Sequence, residues 1–593
     1  MILALLILIK FFYFYNKVRV QRNYLYTVIL SSLIALLALV GLNSIQSTIN
    51  FNPWIVLYYL ISIIMLIDVI YYKYFNQLTS VNLLKQITQL TTVGDSLAEL
   101  FEPSQLILVL DLIIIPFLPK KVLDFVISGL DFRVIFLITV LFIMELMYFN
   151  KSKEIARQEL FSYHSRDIAY SIGREQLELE NSFTKEDLEG RNIKSNKDDI
   201  YHGIARGNNL ILVQVEALQN FVINREYNGY EITPNLNKLI DRNNSIYFNH
   251  AFESIGRGNT SDAEYAVLTG LIPPPNNISY LEYTNKAYHS LAHFFKSMGY
   301  TTAVCHGNDA RYYNRDKMYK TLGFDHYFNK DDYLFDEKTQ IGFGISDEDF
   351  LIQTVEKLLQ IERKGKFMSF IITLSSHTPF LMPEDKVAIK LKKEDENTMS
   401  GRYLQAINYA DMALGKFIEK LEETGLLERS TLVLYGDHFA ISAGNHEDAL
   451  HAAVQFDMKH GYFYDDMMNI PLIICSNGLN KETISSTCSQ VDIYPTIFNL
   501  FGGKNSKSIV FGSDIINNPS ELAIPAGYVN LGSFIYKDVF VEMDQGGKLE
   551  NSRAYKLFTH EPVDPKSLHE IYKKALHERA LARYAVLTNQ VKL

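Results

Sequence analysis

The stretch Thr431-Leu432-Val433-Leu434-Tyr435-Gly436-Asp437-His438 decides the fold. A short run of apolar and β-favouring residues reads as a buried strand. It breaks at a glycine into an acid and a histidine. Three other runs also end in polar residues. Leu210 to Val215 leads into Glu216, and Thr302 to Cys305 into His306, Asn308 and Asp309. Phe367 to Leu374 leads into Ser375-Ser376-His377. Leu472 to Cys475 reads as a fifth strand. Residues 402–423 carry Ala406, Tyr409, Ala410, Leu414 and Phe417 at helical spacing. Strands alternating with amphipathic helices predict an α/β domain with a mainly parallel central sheet, here from about residue 207 to 593. Ligands of such sheets gather outside the carboxyl ends of the strands. One polar residue there is more often a cap than a ligand, but four strand ends in order are harder to dismiss.

The N-terminal quarter differs. Apolar stretches run over residues 2–14, 24–42, 54–72, 106–118 and 134–149, and Lys10, Asp68, Asp111 and Glu145 lie inside them. A bilayer core takes about 20 helical residues. The second and third stretches meet that length, the fifth is borderline, and the first and fourth suit a span or an interfacial helix. About five spans are expected over 1–149, with the acids turned inward or toward an interface. The start lacks a basic leader and an A-x-A site, so no cleavable signal peptide is expected. Lys120, Lys121 and Arg133 favour an outside catalytic domain, whereas Lys17, Arg19 and Arg22 argue the reverse if five spans hold. Residues 150–206 read as a helical connector with a linker at 191–199, and a smaller C-terminal subdomain is expected from about 533, ending in a charged helix.

The net charge of −10 disfavours nucleic acid as a partner. The three cysteines, Cys305, Cys475 and Cys488, exclude a disulfide scaffold and a C-x-x-C metal knuckle. Buried free thiols are expected, with a Cys475–Cys488 bridge as the alternative.

A carboxylate after one strand and an Asp-His pair after another suit a divalent cation with mixed oxygen and nitrogen ligands: Mn²⁺, Mg²⁺ or Zn²⁺. Gly256-Arg257-Gly258-Asn259-Thr260-Ser261-Asp262-Ala263-Glu264 leads into a helical pattern, and Ser261 with Glu264 fits a capping box. Taken alone, Thr260 and Ser261 merely begin a helix. A helix N-terminus also suits phosphate, and a hydroxyl beside a cation becomes a nucleophile more easily.

Eight segments occur in order: Val215-Glu216, Thr233-Pro234-Asn235-Leu236, Asn259-Thr260-Ser261-Asp262, Tyr313-Asn314-Arg315-Asp316, Gly344-Ile345-Ser346-Asp347, Ser376-His377-Thr378-Pro379, Tyr435-Gly436-Asp437-His438 and Val491-Asp492-Ile493-Tyr494-Pro495-Thr496. With the apolar N-terminus they resemble the lipoteichoic acid synthase-like phosphoglycerol transferases of the alkaline phosphatase and sulfatase superfamily. The resemblance covers nearly the whole chain. It implies that Glu216, Thr260, Asp437 and His438 bind one ion, Mn²⁺ first and Mg²⁺ second, and that Thr260 is the nucleophile. It further implies that Arg315, His377, Tyr313 and Asn308 hold the phosphoglycerol headgroup. Tyr313 stands where these synthases tend to carry tryptophan. A bland reading has Arg315 pairing with a nearby acid. Asp492 and Pro495 read as a helix start.

The implied reaction moves phosphoglycerol from phosphatidylglycerol, through a phosphoglycerol-threonine, to a glycolipid or a growing polyglycerolphosphate chain. The implied location is the cell membrane, multi-pass, with the catalytic domain outside. The alternatives are a phosphoethanolamine-type headgroup transferase, a phosphodiesterase, or a non-catalytic envelope scaffold. A sulfatase is disfavoured, because Ser261-Asp262-Ala263-Glu264 after Thr260 lacks the x-Pro-x-Arg pattern.

Overall fold

The computed structural model describes residues 2–18, 24–45, 53–75, 78–81, 101–117, 159–171, 182–194, 196–336, 340–444, 446–544 and 547–591. The chain forms two compact units, Met1–Gly173 with Gln545–Lys548, and Arg174–Asp544 with Leu549–Leu593.

In the first unit, helices Ile2–Lys17, Tyr24–Ile45 and Pro53–Phe75 pack on one another through Phe11, Phe14, Leu39, Tyr58 and Met65. Leu5, Phe12, Leu25, Val56, Leu60 and Ile67 point outward. That is an apolar exterior around a partly polar interior. Lys10 pairs with Asp111 at 2.7 Å and donates to Ser62 at 2.7 Å, and Tyr58 also donates to Asp111. Asp68 accepts from the Thr79 amide at 2.9 Å and meets His164 Nε2 at 2.9 Å. Both acids therefore face inward, where charge has partners. Among the described residues, one helix, Pro53–Lys73, is long and apolar enough to cross a membrane by length and composition, and helix Tyr24–Ile45 carries a shorter apolar segment, Tyr24–Val40. The fourth apolar stretch is not one helix. It breaks into Pro103–Leu108, Leu110–Ile114 and Ile115–Phe117, each far below span length. The fifth stretch, with Glu145, lies outside the described residues, as do Lys120, Lys121 and Arg133.

The second unit is built on a nine-stranded sheet. Its strands are β1 (Asn209–Val215), β2 (Ser245–Phe252), β3 (Thr301–His306), β4 (His326–Phe328), β5 (Phe367–Ile372), β6 (Ser430–Gly436), β7 (Asn469–Cys475), β8 (Glu482–Ile484) and β9 (Cys488–Ser489). The spatial order is β8-β2-β7-β6-β1-β5-β3-β4, with β9 also beside β2. The sheet is mixed. β7 runs antiparallel to both its neighbours, β6 and β2, and the remaining pairings are parallel. β1, β5, β6 and β7 are buried along their whole length, as strands covered on both faces must be.

Register aligns the site. Gly436 lies opposite Val215, and Ile372 opposite both Gln214 and His306. The residues that follow, Glu216, Asp437 and Thr373, therefore leave the sheet side by side. A Cβ at Gly436 would collide with the Leu218 carbonyl, so only glycine lets this turn close.

Residues 192–194, read as linker, pair as a strand with Asn505–Ile509. A five-stranded antiparallel sheet spans Leu522 to Val563, and helix His569–Leu587 packs on it through Ala575 and Ala582. This C-terminal layer starts about ten residues before the boundary expected from sequence. All three cysteines are buried and free.

Candidate active site and metal centre

Thr260 opens helix Thr260–Thr269, at the end of a loop that leaves β2. Its hydroxyl donates to Glu216 Oε2 at 3.3 Å and lies 3.3 Å from His438 Nε2. His438 Nε2 is also 3.5 Å from Glu216 Oε1 and 3.4 Å from Asp437 Oδ2. Glu216, Asp437 and His438 are all buried and each offers one ligand atom, the three within 4.8 Å of one another.

Second contacts fix each group. The Glu216 amide donates to Thr373 Oγ1 at 3.0 Å, and its carbonyl accepts from Ser376 Oγ at 2.6 Å. Asp437 Oδ1 accepts from the Ala217 and His438 amides, both at 2.7 Å. His438 Nδ1 lies 2.9 Å from the Phe439 carbonyl. A carbonyl can only accept, so Nδ1 carries the proton and Nε2 keeps its lone pair for a ligand.

The donor set fits a divalent cation. Among the described residues, Asp437 Oδ2 is buried with no hydrogen-bond partner. Burial, reinforced by the neighbouring Asp437 carboxylate, pushes Glu216 well above the usual carboxylate range. Burial also raises Asp437. Two buried carboxylates side by side stay ionised only if a positive charge joins them. A cation at Oδ2 would supply both the missing partner and that charge.

The loop carrying Thr260 is shaped by Asp262. Its Oδ2 accepts from the Gly256 and Gly258 amides at 3.0 and 2.8 Å, and its Oδ1 accepts from the Ser279 amide and hydroxyl at 3.0 and 2.7 Å. The expected capping box does not form. The N-cap is Asn259, Ser261 Oγ donates to the Gly258 carbonyl, and the Glu264 carboxylate turns to Arg315 and Tyr319. Sequence spacing could not see that a buried arginine from another segment would compete for Glu264.

Arg315 is fully buried against Glu264, with Nε and Nη2 at 3.0 and 2.6 Å from Oε1. The bland reading, pairing with an acid, is thus present in the structure. Its guanidinium also lies 5.4 Å from the Tyr313 ring centre and 5.9 Å from that of Tyr312. Tyr313 and Asn314 are both left-handed, with φ of 57° and 58°, which starts helix Arg315–Thr321 abruptly. Asn308 is buried and caps Asp309 through Oδ1 at 2.7 Å. His377 is partly buried, its ring edge-on to Phe343 and its Nδ1 2.7 Å from the Thr378 carbonyl. Burial holds it down at about 4. It is therefore neutral near pH 7, with Nε2 as the acceptor.

Several residues went unsingled in the sequence reading. Gln214 donates to the Thr260 carbonyl at 3.2 Å and accepts from Tyr435 at 2.5 Å. Gln490 donates to the Asp437 carbonyl at 2.6 Å. Glu253, buried at the end of β2, accepts from the Phe439 amide at 2.7 Å. Gln214 is hidden inside a strand that reads as apolar. Glu253 and Gln490 follow β2 and β9, strands the sequence reading left out. His306 Nε2 is buried without a partner among the described residues, next to the edge where the other groups emerge.

A family model described as Sulfatase matches residues 208–503, and one described as lipoteichoic acid synthase N-terminal domain matches residues 1–172. Lipoteichoic acid synthase 2 of Bacillus subtilis is 29% identical over 491 residues, which cover 79% of this chain and 75% of that one. Lipoteichoic acid synthase of Staphylococcus aureus is 31% identical over 370 residues, 61% of this chain and 55% of that one. Among solved structures, the lipoteichoic acid synthase LtaP from Listeria monocytogenes superposes with a TM-score of 0.62 at 30% identity, covering 69% of this chain and 98% of that one. An alkaline phosphatase superfamily protein from Vibrio parahaemolyticus shares the fold, with a TM-score of 0.55 at 20% identity over 71% of this chain and 97% of that one. On the Listeria match and the two family models together, the chain belongs to the lipoteichoic acid synthase-like family of the alkaline phosphatase superfamily.

Proposed function

We propose that this protein is a metal-dependent phosphoglycerol transferase of lipoteichoic acid synthesis, with phosphatidylglycerol as donor and a glycolipid or polyglycerolphosphate chain as acceptor. The observation that carries the reading is the position of Thr260 Oγ1, at a helix N-terminus and 3.3 Å from both Glu216 and His438. The names of the relatives, lipoteichoic acid synthases, support the substrate class.

Glu216, Thr260, Asp437 and His438 would hold one divalent cation, Mn²⁺ in our reading. When bound, the ion supplies Lewis-acid charge that lowers the pKa of the threonine hydroxyl and offsets charge on the phosphoryl oxygens. Thr260 Oγ1 attacks phosphorus. The Oγ1–P bond forms, the P–O bond to diacylglycerol breaks, and the threonine proton ends on the released diacylglycerol hydroxyl. In the second half an acceptor hydroxyl attacks the phosphoglycerol-threonine, the Oγ1–P bond breaks, and the acceptor's proton returns to Thr260. Neutral His377, with Nδ1 engaged by Thr378, offers Nε2 to carry the acceptor's proton. Arg315, Tyr313 and Asn308 line the headgroup side in this reading, and the guanidinium suits phosphate. The apolar exterior of the first unit supports a membrane anchor that keeps the catalytic domain, outside the cell, beside its lipid donor.

The test is intact mass of the full-length chain in detergent after incubation with phosphatidylglycerol and Mn²⁺. An added phosphoglycerol, absent in Thr260→Ala, is expected. Diacylglycerol release without any adduct or acceptor product would mean a phosphodiesterase. Neither adduct nor release would remove phosphatidylglycerol as donor.

A further inference from the structure

A second group of metal-type donors lies outside the catalytic centre. His460 and Asp466 flank the turn that enters helix Tyr464–Met468. His560 sits in the tight turn between strands Arg553–Lys556 and Pro562–Val563 of the C-terminal sheet. One atom from each of the three lies within 4.8 Å of the others. His460 Nε2 is 3.1 Å from Asp466 Oδ1, and the two imidazole centroids are 4.7 Å apart with rings inclined at 77°. Two ligands about 2.0–2.1 Å from one tetrahedral ion lie about 3.3 Å apart, close to the first distance.

The surroundings are those of a prepared ligand. His560 Nε2 lies 3.1 and 3.2 Å from the two oxygens of Asp465, a carboxylate with no exposure. Asp465 is itself fixed by the Phe558 amide at 2.9 Å. An ionised carboxylate only accepts, so Nε2 carries the proton and Nδ1 keeps the lone pair. That Nδ1 is buried and, among the described residues, has no hydrogen-bond partner. A carboxylate behind one imidazole nitrogen with the other nitrogen free is the arrangement that orients histidines on metals. Asp466 is held likewise, its Oδ2 taken by the Phe463 amide at 2.9 Å. A pair of ordinary histidine–aspartate hydrogen bonds would account for His460 and for Nε2 of His560, but it leaves the buried Nδ1 unexplained.

We propose that His460, Asp466 and His560 bind a second divalent cation, of the Zn²⁺ class, that ties the C-terminal sheet to the catalytic domain. Two imidazoles and one carboxylate suit borderline-soft Zn²⁺ better than Mg²⁺ or Ca²⁺, which prefer all-oxygen sets. The site is joined to the catalytic loops by backbone and side-chain hydrogen bonds. Tyr462 OH donates to the Ile441 carbonyl at 2.6 Å, and Gln219 Nε2 donates to Tyr462 and to the Met467 carbonyl at 2.7 and 2.8 Å. The ion would be structural, since no open substrate cleft is needed for it to act.

The test is zinc stoichiometry of the full-length chain, stripped with chelator and reloaded with Zn²⁺ alone, read by elemental mass spectrometry. Two ions per wild-type chain are expected. Asp437→Asn should retain one, and the double variant His460→Gln/His560→Gln should lose one. Zn²⁺ should raise the melting temperature of Asp437→Asn by about 2–4 °C and leave that of a folded His460→Gln/Asp437→Asn/His560→Gln chain unchanged. Should the glutamine variants not fold, the single variant His460→Asn is counted in their stead, and it should likewise lose one ion. No ion bound by Asp437→Asn, or the same ion count in the folded double variant as in wild type, would overturn the proposal.

Discussion

Glu264 Oε1 receives both the Nε and the Nη2 of Arg315, at 3.0 and 2.6 Å, in a pair that is sealed from solvent. Removing one member of a buried ion pair leaves the other charge uncompensated, at a cost of about 3–5 kcal/mol. Glu264→Ala is therefore expected to lower stability by that order in urea unfolding, and to do so more than Arg315→Ala, because Tyr319 also partners Glu264. Glu264→Leu with Arg315→Met should recover most of the stability and none of the transfer activity. Recovery of both would remove Arg315 from the reaction.

Asp437 Oδ2 predicts a reciprocal behaviour of metal and stability. With the proposed cation removed, two buried carboxylates face each other, and the protein is expected to lose activity and several degrees of melting temperature together. Asp437→Asn removes one of the two charges. It is expected to be inactive, by roughly 10³-fold or more, which corresponds to about 4 kcal/mol of lost transition-state stabilisation. Its chelated form should nonetheless melt no lower than chelated wild type. A lower melting point would mean that Asp437 is held by contacts other than a cation.

Asp492 supplies a pH test that uses none of the proposed catalytic or ligand residues. Its oxygens accept from the Ser489 and Ser513 amides at 2.8 and 2.6 Å, and burial pushes it up to about 6. The folded state then binds the proton more tightly than the unfolded chain, whose aspartate titrates near 3.8. Its contribution is full below that value and is lost as pH rises through 6. The whole window amounts to about 3 kcal/mol. Asp492→Asn cannot titrate. The stability of wild type relative to Asp492→Asn should therefore decline between pH 5 and 7.5 by about half that amount. A difference that is flat across the same range would mean that the serine amides keep Asp492 ionised.

Much of the site was legible because parallel strands deliver their next residues to one edge. Glu216, His377, Asp437 and His438 each follow an apolar run that the sequence marks, and the register then aligns them. Thr260 was legible as a helix start after glycines. What stayed hidden depends on long-range pairing. β2 reads Ser-Ile-Tyr-Phe-Asn-His-Ala-Phe, with polar residues that mask a strand, and the reversed direction of β7 is set by its pairing with β2 and β6. The Ser261–Glu264 capping pattern was outcompeted because Arg315, distant in sequence, arrives at Glu264 with a full charge. The fourth apolar stretch looked continuous in hydropathy, yet Asp111 is turned inward to Lys10, and the backbone breaks on either side of it.

Asp262 shapes the loop that carries Thr260, the proposed nucleophile, and this separates its effect from that of Thr260 itself. Its carboxylate collects the amides of Gly256 and Gly258 on one side and Ser279 on the other, which folds the loop so that Thr260 heads its helix. The fold leaves no slack there. A Cβ on Gly258 would sit 2.5 Å from Asp262 Oδ1, and one on Gly256 would overlap the Pro274 carbonyl. Asp262→Ala leaves four donors facing a void, so a stability loss of about 1–3 kcal/mol is expected. The larger effect should fall on kcat. A displacement of Thr260 by about 1 Å costs about 10²-fold in rate when attack geometry limits the reaction. KM for phosphatidylglycerol should change little, because Arg315, His377 and Asn308, the residues proposed to hold the headgroup, stand on other segments. Asp262→Asn keeps an acceptor for the glycine amides and should recover part of kcat. Initial rates against lipid concentration, measured for folded protein of all three forms, separate the cases. A rise in KM with kcat intact would place Asp262 in donor binding instead of in nucleophile positioning.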